Sequence, residues 1–211
     1  MPADWLQAHG WEATAVVLGV AYLLLAMRES SWCWHAAFLS TLIYLFLFWH
    51  AQLPMESALQ LYYLAMAVYG WWHWKHGGAG EADGAQTLPV RTWPWRNHVA
   101  AIAAVLLASL VSGALLTHAG LGRLPYVDSF TTWGAVLTTW MVTQKLLENW
   151  IYWLVVDSVS LCLYLDRGLY LTALLFVVYL VIVVFGYFQW RRHYREQHAA
   201  SHAARAGRTL Q

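Results

Sequence analysis

Glu148-Asn149-Trp150-Ile151-Tyr152-Trp153-Leu154-Val155-Val156-Asp157 opens an apolar segment long enough to enter a bilayer, yet it holds a carboxylate well inside. Trp150, Trp153 and Asp157 stand at i, i+3 and i+7, which puts them on one face of a helix. Ser160 and Tyr164 continue that face. An ionised Asp near the middle of a membrane helix costs roughly 2.5–3.5 kcal/mol on insertion scales. A lipid-facing position returns nothing for that cost. The face is therefore expected to line a polar cavity inside a helical bundle. Two indoles and a carboxylate around a cavity suit a flat, positively charged ligand.

The rest of the chain agrees with a bilayer. Only 11% of its residues are charged and 60% are hydrophobic, against about 25% charged in a soluble domain. Tryptophans gather near segment ends, as at Trp71, Trp72 and Trp74, or Trp93 and Trp95. Indoles favour the membrane–water interface, so these read as an aromatic belt. The formal charge of +1 says nothing about partners, and no nucleic-acid partner is expected. Cys33 and Cys162 lie in apolar segments and read as small core residues rather than a disulfide or metal pair. The start, MPADWLQAHG, has neither the basic region nor the cleavage site of a signal peptide.

Seven spans follow, near Trp11–Met27, Trp32–Trp49, Met55–Trp74, Val99–Leu116, Tyr126–Val142, Trp150–Leu165 and Leu169–Trp190. Each is close to what a ~30 Å hydrocarbon core needs. With seven spans the termini face opposite sides. One side holds Arg28, Lys75, Arg91, Arg96, Lys145 and the five arginines after Trp190; the other holds Arg123 and Arg167. The positive-inside rule then puts the N-terminus outside and the C-terminus in the cytoplasm. The residues after Trp190 read as a polar tail, partly disordered or a frayed helix.

A shift of 116 residues lays one end of the chain on the other. Tyr63 falls on Tyr179, Gly70 on Gly186, Trp74 on Trp190, Lys75 on Arg191, Trp34 on Trp150 and Glu12 on Asp128. The fold class expected is an all-α integral membrane protein, with seven transmembrane helices in a SWEET-like 3+1+3 parallel repeat. Its parts are a first three-helix repeat (1–76), a cytoplasmic linker (77–98), a connector helix (99–118), a second three-helix repeat (119–190) and a basic tail (191–211). A two-fold repeat about one axis would put a binding site between the halves. The equivalent face of the second span carries Trp34, Thr41 and Tyr44, and the third span offers Gln60, Tyr63 and Gly70. Thr41 is the counterpart of Asp157, and Phe176 that of Gln60. The polar groups are thus asymmetric, as an asymmetric ligand requires.

The runs Leu23–Trp74 and Gln144–Trp190, with their ENWxxW core and YGWWxW third-span end, resemble the PnuC family of bacterial vitamin transporters. One departure is Cys33-Trp34-His35-Ala36-Ala37, where many relatives read CWPFG. The resemblance implies facilitated diffusion of nicotinamide riboside, with thiamine or riboflavin as alternatives. It implies uptake pulled by a cytoplasmic kinase, a bacterial inner-membrane location and a homo-oligomer, a trimer. No cofactor and no metal are expected, and no GxxxxGK[ST] phosphate loop is present.

Nicotinamide riboside and thiamine are both flat cations. Trp150 and Trp153 could stack on the ring, Asp157 could balance its charge, and Asn149 and Gln60 could bond an amide. Each has a plainer reading. Asp157 could bond a neighbouring helix's hydroxyl, the tryptophans could be packing, and Gln60 and Asn149 could be interhelical glue or a cap. Glu148, near Lys145, reads equally as a charge favoured by the helix dipole or as a gate ion pair. An enzyme is the rival class, because His73 and His76, or His198 and His202, have ligand spacing on a helix. They lack acidic or cysteine ligands beside them, and the chain is read as not an enzyme. A purely structural membrane subunit would leave the buried Asp157 and Gln60 without a reason.

Overall fold

The structure, a computed structural model, describes residues 2–50, 54–77, 88–121, 123–166, 168 and 170–208. Among these, seven helices follow one another and no strand forms: α1 Pro2–Met27, α2 Cys33–His50, α3 Pro54–His76, α4 Trp95–His118, α5 Pro125–Thr143, α6 Asn149–Asp166 and α7 Tyr170–Arg208. The chain divides into two compact units, Met1–Leu88 and Pro89–Gln211. In the first, α2 packs against both α1 and α3. In the second, α4 packs on α5, α5 on α6 and α6 on α7. The helix expected as a connector is thus bound into the second unit. Residues 78–87 of the expected linker (77–98) and Arg167 lie outside the described residues.

Three helices contain stretches long and apolar enough to cross a membrane by composition alone: Gly10–Met27, Trp95–His118 and Thr172–Ala200. Their outward faces are apolar too. Leu107, Leu110, Val111 and Leu115 of α4 and Leu174, Val181, Phe185 and Phe188 of α7 are all more than half exposed. Apolar faces of that length suit lipid and not water. The helix α6 falls below the hydropathy of these three because Asn149, Asp157, Ser158, Ser160 and Asp166 interrupt it. Its 18 residues span ~27 Å at 1.5 Å each, slightly under the core thickness.

Helix ends follow local chemistry. Gly120 stops α4 with φ +68°; its N–H reaches Thr117 O and the next N–H, of Leu121, reaches Leu116 O. A glycine takes this left-handed position without a Cβ clash. Pro125 starts α5 at the position where a missing N–H costs nothing. The last helix takes the helical one of the two readings given for the tail. It does not end at Trp190 but continues to Arg208. The extension has no proline and is rich in Ala and Arg, both good helix formers. Arg192 Nε and Glu196 Oε1 close an i, i+4 pair at 2.8 Å on it.

The offset of 116 reappears in local geometry inside each unit. Glu29 and Lys145, the non-glycine residues with positive φ among those described, have φ 54° and 50°. In the α1–α2 turn Ser30 N–H donates to Leu25 O at 3.0 Å; in the α5–α6 turn Leu146 N–H donates to Met141 O at 3.1 Å. Burial matches as well. Cys33 and Asn149, Thr41 and Asp157, Ala67 and Val183, and Trp74 and Trp190 are all buried.

Candidate functional site

The α6 face is set from its first turn. Asn149 is fully buried. Its Nδ2 donates to Leu146 O at 2.6 Å, while its Oδ1 is buried with no hydrogen-bond partner. The neighbouring Trp150 is 2% exposed. Its ring lies flat on Gly186 of α7, where an added Cβ would stand 2.6 Å from it. It meets the Trp190 ring edge-on at 5.4 Å and 85°. Trp150 is therefore engaged in helix packing, the plainer of its two expected roles, although its indole Nε1 is buried and unpartnered.

Further along the same face Trp153 is half-buried, and Asp157 and Ser160 are buried. Tyr164 follows, half-buried, with its ring 5.0 Å from Phe176. Asp157 is 5% exposed, and no residue among those described gives it a hydrogen bond or an ion pair. A carboxylate removed from water without a partner is costly. That makes it the polar group on α6 with the most to gain from a bound ligand.

The first unit repeats the packing with different chemistry. The Trp34 ring lies on Gly70 of α3 so closely that a Cβ there would overlap it. It meets Trp74 edge-on at 5.3 Å and 86° and Tyr22 at 6.1 Å. Its Nε1, like that of Trp150, is buried and unpartnered. Thr41 is buried, and Gln60 and Tyr63 are half-buried. The expected residues thus fall into two sets, one per unit: Trp34, Thr41, Gln60, Tyr63 and Gly70 in the first, and Lys145, Glu148, Asn149, Trp150, Trp153, Asp157 and Gly186 in the second.

Glu148 has partners that the sequence did not reveal. Its Oε1 accepts the Trp93 N–H at 3.2 Å and lies 3.9 Å from His98 Nε2. The other nitrogen of His98 is 2.9 Å from the Tyr152 hydroxyl. Lys145 is 4% exposed and its carbonyl accepts from Arg91 N–H at 3.0 Å. The cluster caps a cavity of about 440 Å³ whose walls include Ile102, Leu106, Phe130, Leu137 and Val155. This cavity lies on the side of α6 opposite Asp157 and is almost wholly apolar. His73 and His76, the candidate metal pair, are engaged by aromatic rings. His73 stacks on Tyr69 at 5.4 Å and His76 on Trp72 at 5.8 Å.

Comparison with known proteins bears on what such a chain does. A family model described as nicotinamide mononucleotide transporter matches residues 9–192. The riboflavin/roseoflavin transporter RibM of Streptomyces davaonensis is 32% identical over 176 residues, covering 82% of this chain and 81% of its own. The nicotinamide riboside transporter PnuC of Escherichia coli is 22% identical over 219 residues, covering 92% and 88%. Among solved structures, the crystal structure of the vitamin B3 transporter PnuC superposes with a TM-score of 0.71 at 21% identity, over 92% of this chain and 84% of that one.

Proposed function

Because the chain belongs to the nicotinamide mononucleotide transporter family, that of the PnuC vitamin transporters, we propose that it carries nicotinamide riboside across a bacterial inner membrane. The observation that carries this reading is Asp157, buried on α6 with no partner among the described residues and on one helical face with Trp153 and Ser160. A carboxylate in that setting favours a cation over a neutral ring, because charge pairing strengthens as water is excluded. Trp153 supplies a half-buried indole one turn away for a pyridinium. Asn149 Oδ1, buried and unpartnered, is an acceptor suited to an amide N–H. Trp150 then acts as a wall residue, held by Gly186. Thr41, Gln60 and Tyr63 are the polar groups of the first unit in this reading.

The proposed architecture is a 3+1+3 parallel repeat, with α1–α3 and α5–α7 as copies and α4 inserted. The matched turns at Glu29 and Lys145 support it, as do the matched Trp–Gly contacts. Transport is facilitated diffusion, and cytoplasmic phosphorylation of the imported compound makes uptake directional. The basic asymmetry supports an outside N-terminus and a cytoplasmic α7 extension. A trimer is the assembly the family resemblance favours.

A second reading has its own support. RibM is 32% identical to this chain while the PnuC of Escherichia coli is 22% identical, which favours riboflavin. Identity across a whole chain reports ancestry, whereas selection by charge turns on single groups such as Asp157. Riboflavin is neutral, and its ribityl hydroxyls could donate to the same carboxylate. Tryptophan-fluorescence titration of the detergent-purified protein with nicotinamide riboside, thiamine, riboflavin and nicotinamide separates the readings. Saturable binding of riboflavin with none of the cations would replace the first reading by the second.

A further inference from the structure

Residues 89–94 form a strap across one end of the second unit. Arg91 makes a one-residue parallel bridge with the α5–α6 turn. Its N–H donates to Lys145 O at 3.0 Å, and its carbonyl accepts from Leu147 N–H at 2.8 Å. On one side Val90 N–H donates to Gln197 Oε1 of the α7 extension at 3.2 Å. On the other, Trp93 N–H donates to Glu148 Oε1 at 3.2 Å, and the Trp93 ring packs 5.6 Å from Trp140. A two-bond bridge is too short to hold itself. Beyond that bridge the strap is held by two side-chain acceptors, Glu148 and Gln197, by Thr92 Oγ1 3.4 Å from the Tyr194 hydroxyl, and by the buried Val90 side chain.

Glu148 immediately precedes Asn149 and Trp150. We propose that Glu148 is a positioning residue for transport: by holding the strap through the Trp93 N–H, it fixes the first turn of α6 and with it the face that carries Asn149, Trp153 and Asp157. This rests on the reading of that face given above. The role assigned to Glu148 is that of an acceptor oxygen for the Trp93 N–H; the contact to His98 at 3.9 Å is an ion pair only when His98 is protonated. Glutamine would keep the acceptor; alanine would not. Gln197 grips the same strap from the exposed α7 extension, outside the α6 face.

The test uses the full-length purified protein and the vitamin that the wild type binds. Glu148→Ala and Gln197→Ala should each lower affinity fivefold or more. The double variant should be no more than twofold worse than Glu148→Ala, because both release one strap. Glu148→Gln should stay within twofold of wild type. Trypsin should cut at Arg91 faster in both alanine variants and at the wild-type rate in Glu148→Gln. Equal losses for Glu148→Gln and Glu148→Ala would overturn the proposal in favour of a charge role. Wild-type affinity in Gln197→Ala, or unchanged cleavage in Glu148→Ala, would overturn it as well. If Trp153→Ala and Asp157→Asn bind as wild type does, the α6 reading fails separately. The cleavage rates then still decide whether Glu148 holds the strap.

Discussion

Trp150 stands edge-on to Trp190, ring centroids 5.4 Å apart at 85°, with Gly186 beneath its face. In the first unit Trp34 stands to Trp74 at 5.3 Å and 86°, over Gly70. Each number in the first-unit trio is 116 below its counterpart. Bare glycine surface lets an indole sit where any side chain would exclude it, and edge-to-face geometry favours the aromatic pair. The pair locks α2 to α3 in the first unit and α6 to α7 in the second.

Overpacking these joints should destabilise the protein. A Cβ on Gly186 would meet the Trp150 ring at 2.6 Å, and one on Gly70 would overlap the Trp34 ring. A rigid, buried indole has little room to yield. Gly186→Ala and Gly70→Ala are each expected to cost about 1–3 kcal/mol. The check is thermal unfolding of detergent-purified protein, where both variants should melt below wild type. Gly10→Ala, with open space around its position, serves as the control.

Topology is tested with reporter fusions. The split of ten basic residues against two is the motive. Reporters after Met27, Gly77 and the C-terminal residue should all register cytoplasm. A periplasmic signal after Gly77 would break both the orientation and the parallel repeat.

The transport mode is read in liposomes. The chain carries no GxxxxGK[ST] loop. Flux should run in both directions down the gradient and need no ATP. Accumulation against a gradient, in the absence of a phosphorylating enzyme inside, would contradict facilitated diffusion.

Trp153 is the half-buried indole of the α6 face. Its replacement by Ala should weaken vitamin binding by roughly 1–3 kcal/mol, counting stacking and packing together. The ratio of dissociation constants from fluorescence or calorimetry measures it. Affinity unchanged in this variant would shift the stacking role elsewhere.

Helix number and approximate helix positions were legible because apolar length and aromatic punctuation are local properties of sequence. The face carrying Trp150, Asp157 and Ser160 was legible for the same reason: helical period fixes which residues share a side. Which partner a side chain meets was not. Trp150 has the same spacing whether it faces a ligand or Gly186, and only tertiary packing decides. The strap escaped because its bonds span 55 residues from Trp93 to Glu148 and 107 from Val90 to Gln197, and no periodicity reports such pairs. The α7 extension was left between disorder and a frayed helix because its charge pulls toward the first, while its alanines carry the helix to Arg208.

The central claim is that Asp157 recognises the positive charge of the vitamin. It is tested most directly by titrating wild type and Asp157→Asn with nicotinamide riboside and with neutral nicotinamide, alongside thermal unfolding of both proteins. The account predicts that Asp157→Asn folds with equal or greater stability, since an unpaired buried charge is removed. It also predicts tenfold or more weaker binding of nicotinamide riboside, an energy of about 1.4 kcal/mol, with nicotinamide binding poorly to both. Wild-type affinity for nicotinamide riboside in an Asp157→Asn protein that melts at a lower temperature would contradict it. The carboxylate would then be structural, and the recognition site would have to be sought around Gln60 and Tyr63 of α3.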